Sequence, residues 1–266
     1  MNYLNNTIPS PNDQRDWLGE SIYPVGFQLP SIVDHRYKLQ PIKDQGSQGT
    51  CAAQTAACMK EWQELHDVKF NQYMSPQFIY NNRNNQDTEG MYGRDVMRIM
   101  SKIGSCSEKN YPYELIESPE NIKQEILEEA NMYKIKSYAQ IKTIEGLKKA
   151  LFINGPCYIS FPVYNFSETM WKQKLGETSQ GGHAMTVVGY NEDGFIIRNS
   201  WGEDWGDKGY CYYSYSDWGC HWEAWTTIDD KSYQQPILPE PKYDSDQEDN
   251  NIQDETKDIK FCCFIS

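Results

Sequence analysis

The chain of 266 residues carries 38 acidic against 25 basic residues, a formal net charge of −13, and 38% of it is hydrophobic. That is enough apolar material for a substantial core, and the absence of a Lys/Arg cluster argues against a nucleic-acid partner, which would need a basic face for phosphates. The opening stretch MNYLNNTIPSPNDQRDW has neither the basic n-region nor the apolar h-region of a secretory signal, and no apolar run is long enough to span a bilayer, so a cytoplasmic location is expected.

Residues 1–27 are polar and turn-rich and form a short N-terminal extension, with the folded body expected over 28–228. After the polar loop KDQGSQGT, residues Ala52, Ala56, Met59, Trp62 and Leu65 recur every three or four positions, which predicts a helix from Cys51 to Leu65 with one buried face. A second helix is expected near SPENIKQEILEEA, with Ser118 as cap and Pro119 in the first turn. A third runs through TIEGLKKALFI and stops at Asn154-Gly155-Pro156. Beyond it the period changes. CYISFPVY, HAMTVVGY, GFIIRNSW, GYCYYSYS and EAWTTID are short β-branched and aromatic runs separated by Gly and Asp turns, as in an antiparallel sheet or barrel. The class is therefore α+β: a helical N-terminal lobe and a β-barrel-like C-terminal lobe, with a cleft between them. Residues 229–266 are acidic, hold about −6 of the net charge and read as a disordered tail.

Eight cysteines stand at 51, 58, 106, 157, 211, 220, 262 and 263 with no CxxC pair. Without a signal to deliver the chain to an oxidising compartment they are expected as free thiols, and their spacing suggests neither a metal site nor a cofactor.

Cys51 is singled out by its place at a helix start, where unpaired N–H groups and the helix dipole favour a thiolate. A nucleophilic thiol needs a base, and the base needs a third group to orient it. His183 opens one strand and Asn199 closes the next, with NEDG as the turn between them, so a hairpin would bring imidazole and amide to the same sheet edge. Taken singly, each of the three also reads as an ordinary core or turn residue.

Together they resemble the papain family of cysteine peptidases. His183 and Asn199 lie about 130 and about 150 residues downstream of Cys51, the separation found in that family. Further matches are LPSIVDHR, Gln45 six residues before Cys51, YPYE at 111–114, GPCYISFPVY at 155–164 and RNSWGEDWGDKGY at 198–210. The resemblance implies a two-lobe fold and a cysteine endopeptidase acting on proteins or peptides. In it Cys51 is the nucleophile, His183 the base, Asn199 its orienting partner, Gln45 the oxyanion donor and Trp201 the cover over the His–Asn contact. An inactive binding protein and an acyl transferase with the same triad are the alternatives. Two departures stand out: Gln48 replaces the family's usual cysteine, so its first disulfide cannot form, and Ala52 replaces an aromatic after the nucleophile. The family's long inhibitory prosegment does not fit in about 27 residues, which leaves either control by other means or a PSPNDQRDW segment that folds over the cleft.

The last four residues, Cys263-Phe264-Ile265-Ser266, fit the C-a-a-X prenylation pattern, and Cys262 offers an acylation site. Lipidation at both would tether the protein to the cytosolic face of a membrane. Oligomeric state has no signature in the sequence.

Overall fold

The computed structural model describes residues 6–23, 26 and 28–229. In chain order, a short strand β1 (Val33–Asp34) leads to helices α1 (Cys51–Val68), α2 (Pro76–Asn81), α3 (Gly93–Lys102) and α4 (Gln124–Met132). Strand β2 (Ser137–Ile141) and helix α5 (Ile144–Asn154) follow. Strands β3 (Cys157–Pro162), β4 (Gly182–Tyr190), β5 (Gly194–Arg198), β6 (Tyr210–Ser214) and β7 (Glu223–Ile228) complete the fold. The acidic stretch from residue 230 onward, with Cys262 and Cys263, lies outside the described residues.

The five C-terminal strands fall where the sequence places them, but they do not close. All pairings are antiparallel in the order β2-β7-β3-β4-β5-β6, with β1 added on β4, so the sheet is open and β2 and β6 are its edges. Strand β2 has no counterpart in the sequence reading; it sits between two helices and pairs with β7, far downstream. The second helix also starts later than expected. Ser118 and Pro119 begin a 3-10 turn over Pro119–Asn121, Ile122 returns to extended backbone, and α4 starts only at Gln124. Helix α5 matches the expectation: the Thr143 side chain accepts from Gly146 N at its start, and Gly155, at φ +87°, ends it against the Trp62 ring where no Cβ would fit.

Period-two alternation gives the sheet two faces, each with its own core. Cys157, Ile159 and Phe161 of β3 join Val187, Phe195, Ile197 and Tyr213 on one side. Tyr158 of the same strand, with Ala184 and Trp225, packs against Ala53, Ala56 and Met59 of α1 on the other. Each buried aromatic or branched side chain contributes about 1.5–3 kcal/mol. Helix α1 lies between this second face and α2 and α3, which is why it is buried on nearly every side through Glu64. Its one enclosed cation, Lys60, meets Glu64 at 2.6 Å and the Asp229 carboxylate, fastening the helix to the end of β7.

Candidate active site

Cys51 is the first residue of α1, and Gln54 N closes the first turn on Thr50 O at 2.9 Å. The loop ahead of it is held from outside. Tyr113 Oη donates to Gln45 O at 2.8 Å and sits 2.7 Å from Thr50 Oγ1, while Gln45 N donates to Ser200 O at 2.8 Å. Gln45 itself is clamped at its oxygen by Ser200 Oγ (2.7 Å), which turns Nε2 toward the loop, where it donates to Gln48 O at 2.9 Å.

The β4–β5 hairpin does what its sequence predicts. Asn191 Oδ1 accepts from Asp193 N and Gly194 N in the turn, the two strands pair from Tyr190↔Phe195 to Thr186↔Arg198 with a bulge at Val187/Gly189, and His183 Nε2 meets Asn199 Oδ1 at 2.6 Å. Ser200 N also donates to that oxygen (2.7 Å), which fixes the amide orientation. Because Oδ1 can only accept, Nε2 carries the proton, and Nδ1, which has no hydrogen-bond partner, is left with a free lone pair. Trp201 stacks on the imidazole with ring centroids 4.3 Å apart, and Trp205 packs edge-on against Trp201.

Unmarked in the sequence is Thr7, whose Oγ1 lies 3.0 Å from Cys51 Sγ. Residues 6–8 run extended through the cleft: Thr7 N donates to Gly182 O (3.0 Å), Ile8 N to Met91 O (3.4 Å), and both bridges are parallel. The walls are glycine where the backbone comes closest. A Cβ on Gly90 (φ +83°) would stand 1.8 Å from Asn6 O, and one on Gly182 would stand 2.3 Å from Thr7 O. The chain then leaves the cleft as a strap. Ser10 Oγ accepts from Arg94 N, Asp16 takes the Arg94 guanidinium with Nε at 2.9 Å, Trp17 O accepts from Gln140 N, and Glu20 Oε1 accepts from Lys142 N and Thr143 N. The residues that enter the cleft are thus 6–8, and PSPNDQRDW is the path out of it.

Under the strap Cys51 and His183 are both fully buried. Burial pushes the Cys51 thiol up, against the Thr7 hydroxyl and backbone groups at Ala184 and Ala52 that favour the thiolate. Burial likewise pulls His183 down to about 4, with Asn199 opposing. Thiol and imidazole are therefore both neutral near pH 7 in this state. All six cysteines among the described residues are free thiols.

A sequence profile of the papain family cysteine proteases matches residues 29–228. The chain belongs to the papain family. It is 32% identical over 209 residues to an uncharacterized peptidase C1-like protein of Acanthamoeba polyphaga mimivirus, covering 69% of this chain and 67% of that one. It is 30% identical over 207 residues to a cathepsin L-like peptidase of Aedes aegypti, covering 71% and 60%. The matched region thus spans roughly two thirds of these papain-family relatives. Among solved structures, xylellain, a cysteine protease from Xylella fastidiosa, superposes with a TM-score of 0.74 at 26% identity over 85% of this chain and 96% of that one. Digestive procathepsin L 3 of Tenebrio molitor shares the papain fold at a TM-score of 0.62 and 20% identity, over 77% of this chain and 71% of that one.

Proposed function

We propose that this papain-family chain is a cysteine endopeptidase, and that the form described is its occluded state. The observation that carries the reading is a stretch of polypeptide lying extended in the cleft, its backbone N–H groups donating to both walls and its middle side chain on the Cys51 sulfur. A cleft that takes one peptide backbone this way is suited to take another. Thr7 is not a substrate, because a hydroxyl and not a carbonyl carbon meets the thiol.

With the strap displaced and water admitted, the burial that holds both groups neutral is relieved, and the thiol proton passes to His183 Nδ1. Cys51 Sγ attacks the scissile carbonyl carbon, and the oxyanion is received by the Cys51 N–H and a Gln45 Nε2 hydrogen. His183 returns the proton to the departing amine. It then removes one from the water that cleaves the acyl-thioester, with Asn199 holding the ring throughout.

The test is labelling of the full chain and of a chain lacking residues 1–10 with an epoxide affinity probe, followed by peptide-library hydrolysis. Faster Cys51 labelling and cleavage in the shortened chain, both lost in Cys51→Ala, are expected. Labelling without any cleavage would leave an acyl transferase; absence of both after strap removal would leave an inactive binding protein.

A further inference from the structure

Asn199 has a second neighbour besides His183: a cavity of about 20 Å³ lined by Gln54, Cys58 and Glu61 of α1 and by Arg198, Asn199 and Ser200. One water molecule needs ~10–15 Å³ and two to four polar partners. Two amide donors in the wall are shut off from solvent: Asn199 Nδ2, which has no hydrogen-bond partner, and Gln54 Nε2, whose side-chain amide also interacts with the Tyr113 hydroxyl. An unmet donor at such depth is costly, and here it leaves the triad amide held only at its oxygen, by His183 and Ser200 N. The acceptor that is missing has to be small.

The wall also carries a carboxylate. Glu61 is buried and its Oε1 takes Met74 N at 3.0 Å. The Arg198 guanidinium is spent on Gln40 O and Pro41 O, each at 2.7 Å. We propose that this cavity binds one structural water, which accepts from Asn199 Nδ2 and Gln54 Nε2 and donates to the Glu61 carboxylate, so that Glu61 is a positioning residue for the His183–Asn199 pair. The groups facing Glu61 are Arg198 from β5, Cys58 from α1, Tyr73 from the α1–α2 loop, and Lys43 in its ion pair with Glu108. Burial raises the Glu61 carboxyl to about 7; Arg198 and Lys43 oppose and Glu108 adds to it. The water donates to Glu61 when that group is ionised; a protonated Glu61 would offer a third hydrogen to an oxygen whose two lone pairs are already taken, so the bridge holds above about pH 7 and loosens below it.

This rests on Asn199 being the orienting partner of His183, and the experiment separates the two. Full-length protein, Glu61→Gln, Cys58→Met, which fills the cavity, and His183→Ala are alkylated with a small haloacetamide between pH 5 and 9, with the rate at Cys51 read by mass spectrometry. The wild-type profile should show a step near pH 7 that Glu61→Gln lacks, and Cys58→Met should slow Cys51 by about three- to tenfold at pH 8, the worth of one hydrogen bond. A crystal structure should show one water within hydrogen-bond distance of Asn199 Nδ2. A dry cavity, a halide in it, or profiles indifferent to both cavity variants would overturn the inference. If His183→Ala is also indifferent, the triad assignment falls with it.

Discussion

Asp16→Ala tests what holds the strap down. The Asp16 carboxylate takes the Arg94 guanidinium through two nitrogens, with side-chain exposures of 9% and 15%, so solvent screens the pair little. A hydrogen-bonded charge pair of this kind contributes about 1.5–3 kcal/mol. Arg94 freed of Asp16 can turn toward water, which places the loss at the lower end, about 1.5–2 kcal/mol. At about 1.4 kcal/mol per factor of ten, the open fraction rises about 10- to 30-fold. As Cys51 is fully buried when the strap is closed, its alkylation rate tracks that fraction as long as the open form is rare. Stopped-time haloacetamide labelling mapped to Cys51 reads it directly, with Asp16→Asn expected between wild type and Ala. A change of less than about twofold would refute the idea that this latch limits access, since it allows no more than about 0.4 kcal/mol.

Gln45→Ala in a strap-opened chain should lower kcat by about a hundredfold or more while leaving Cys51 alkylation nearly unchanged, because in the proposed mechanism the lost donor serves the oxyanion and not the thiol. Gly90→Ala should speed Cys51 labelling of the full chain, since its Cβ would strike Asn6 O, and should also slow hydrolysis of long peptides that use the same wall. Stability against pH should show opposing contributions. His35, His183 and His221 are each pulled to about 4 by burial, so the unfolded chain binds more protons from about 6.5 down to 4 and their contribution is lost as pH falls through that window. Burial raises Glu61 to about 7 and also raises Glu223; there the folded chain holds the extra proton and stability falls as pH rises. Glu61→Gln should therefore steepen the rise of Tm between pH 4.5 and 6.5, measured by scanning calorimetry. The melting temperature should not move when millimolar reductant is added, since every described cysteine is already free.

Local signals carried most of the site into the sequence. Cys51 is legible because a Gly-broken polar loop meets an alanine run, and the His183–Asn199 contact because Asn191 and Gly194 specify a tight turn. Helix α3 had a readable signal, with Val96, Met97, Ile99 and Met100 at helical spacing, yet Gly93, Arg94 and Asp95 at its start mask it. At six residues, α2 gives periodicity too little to work on. Strand β2 and the open sheet edges depend on pairing with β7 across α5 and four strands, which no local pattern encodes. Thr7 is the extreme case: a lone threonine in a polar leader, placed on the sulfur by contacts with Gly182, Met91 and Arg94 that are all distant in sequence.

The strap is covalently part of the chain it covers, pinned at Trp17 and Glu20 beside β2 and reaching the cleft with fewer than a dozen residues between. A tether this short holds its occupant at an effective concentration on the order of millimolar. In the proposed occluded state closure by the strap is unimolecular, so neither dilution nor crowding with its own copies should change the fraction closed. An incoming peptide in that proposed state competes with a segment that never diffuses away, so that a few hydrogen bonds and one hydroxyl would suffice to hold the cleft.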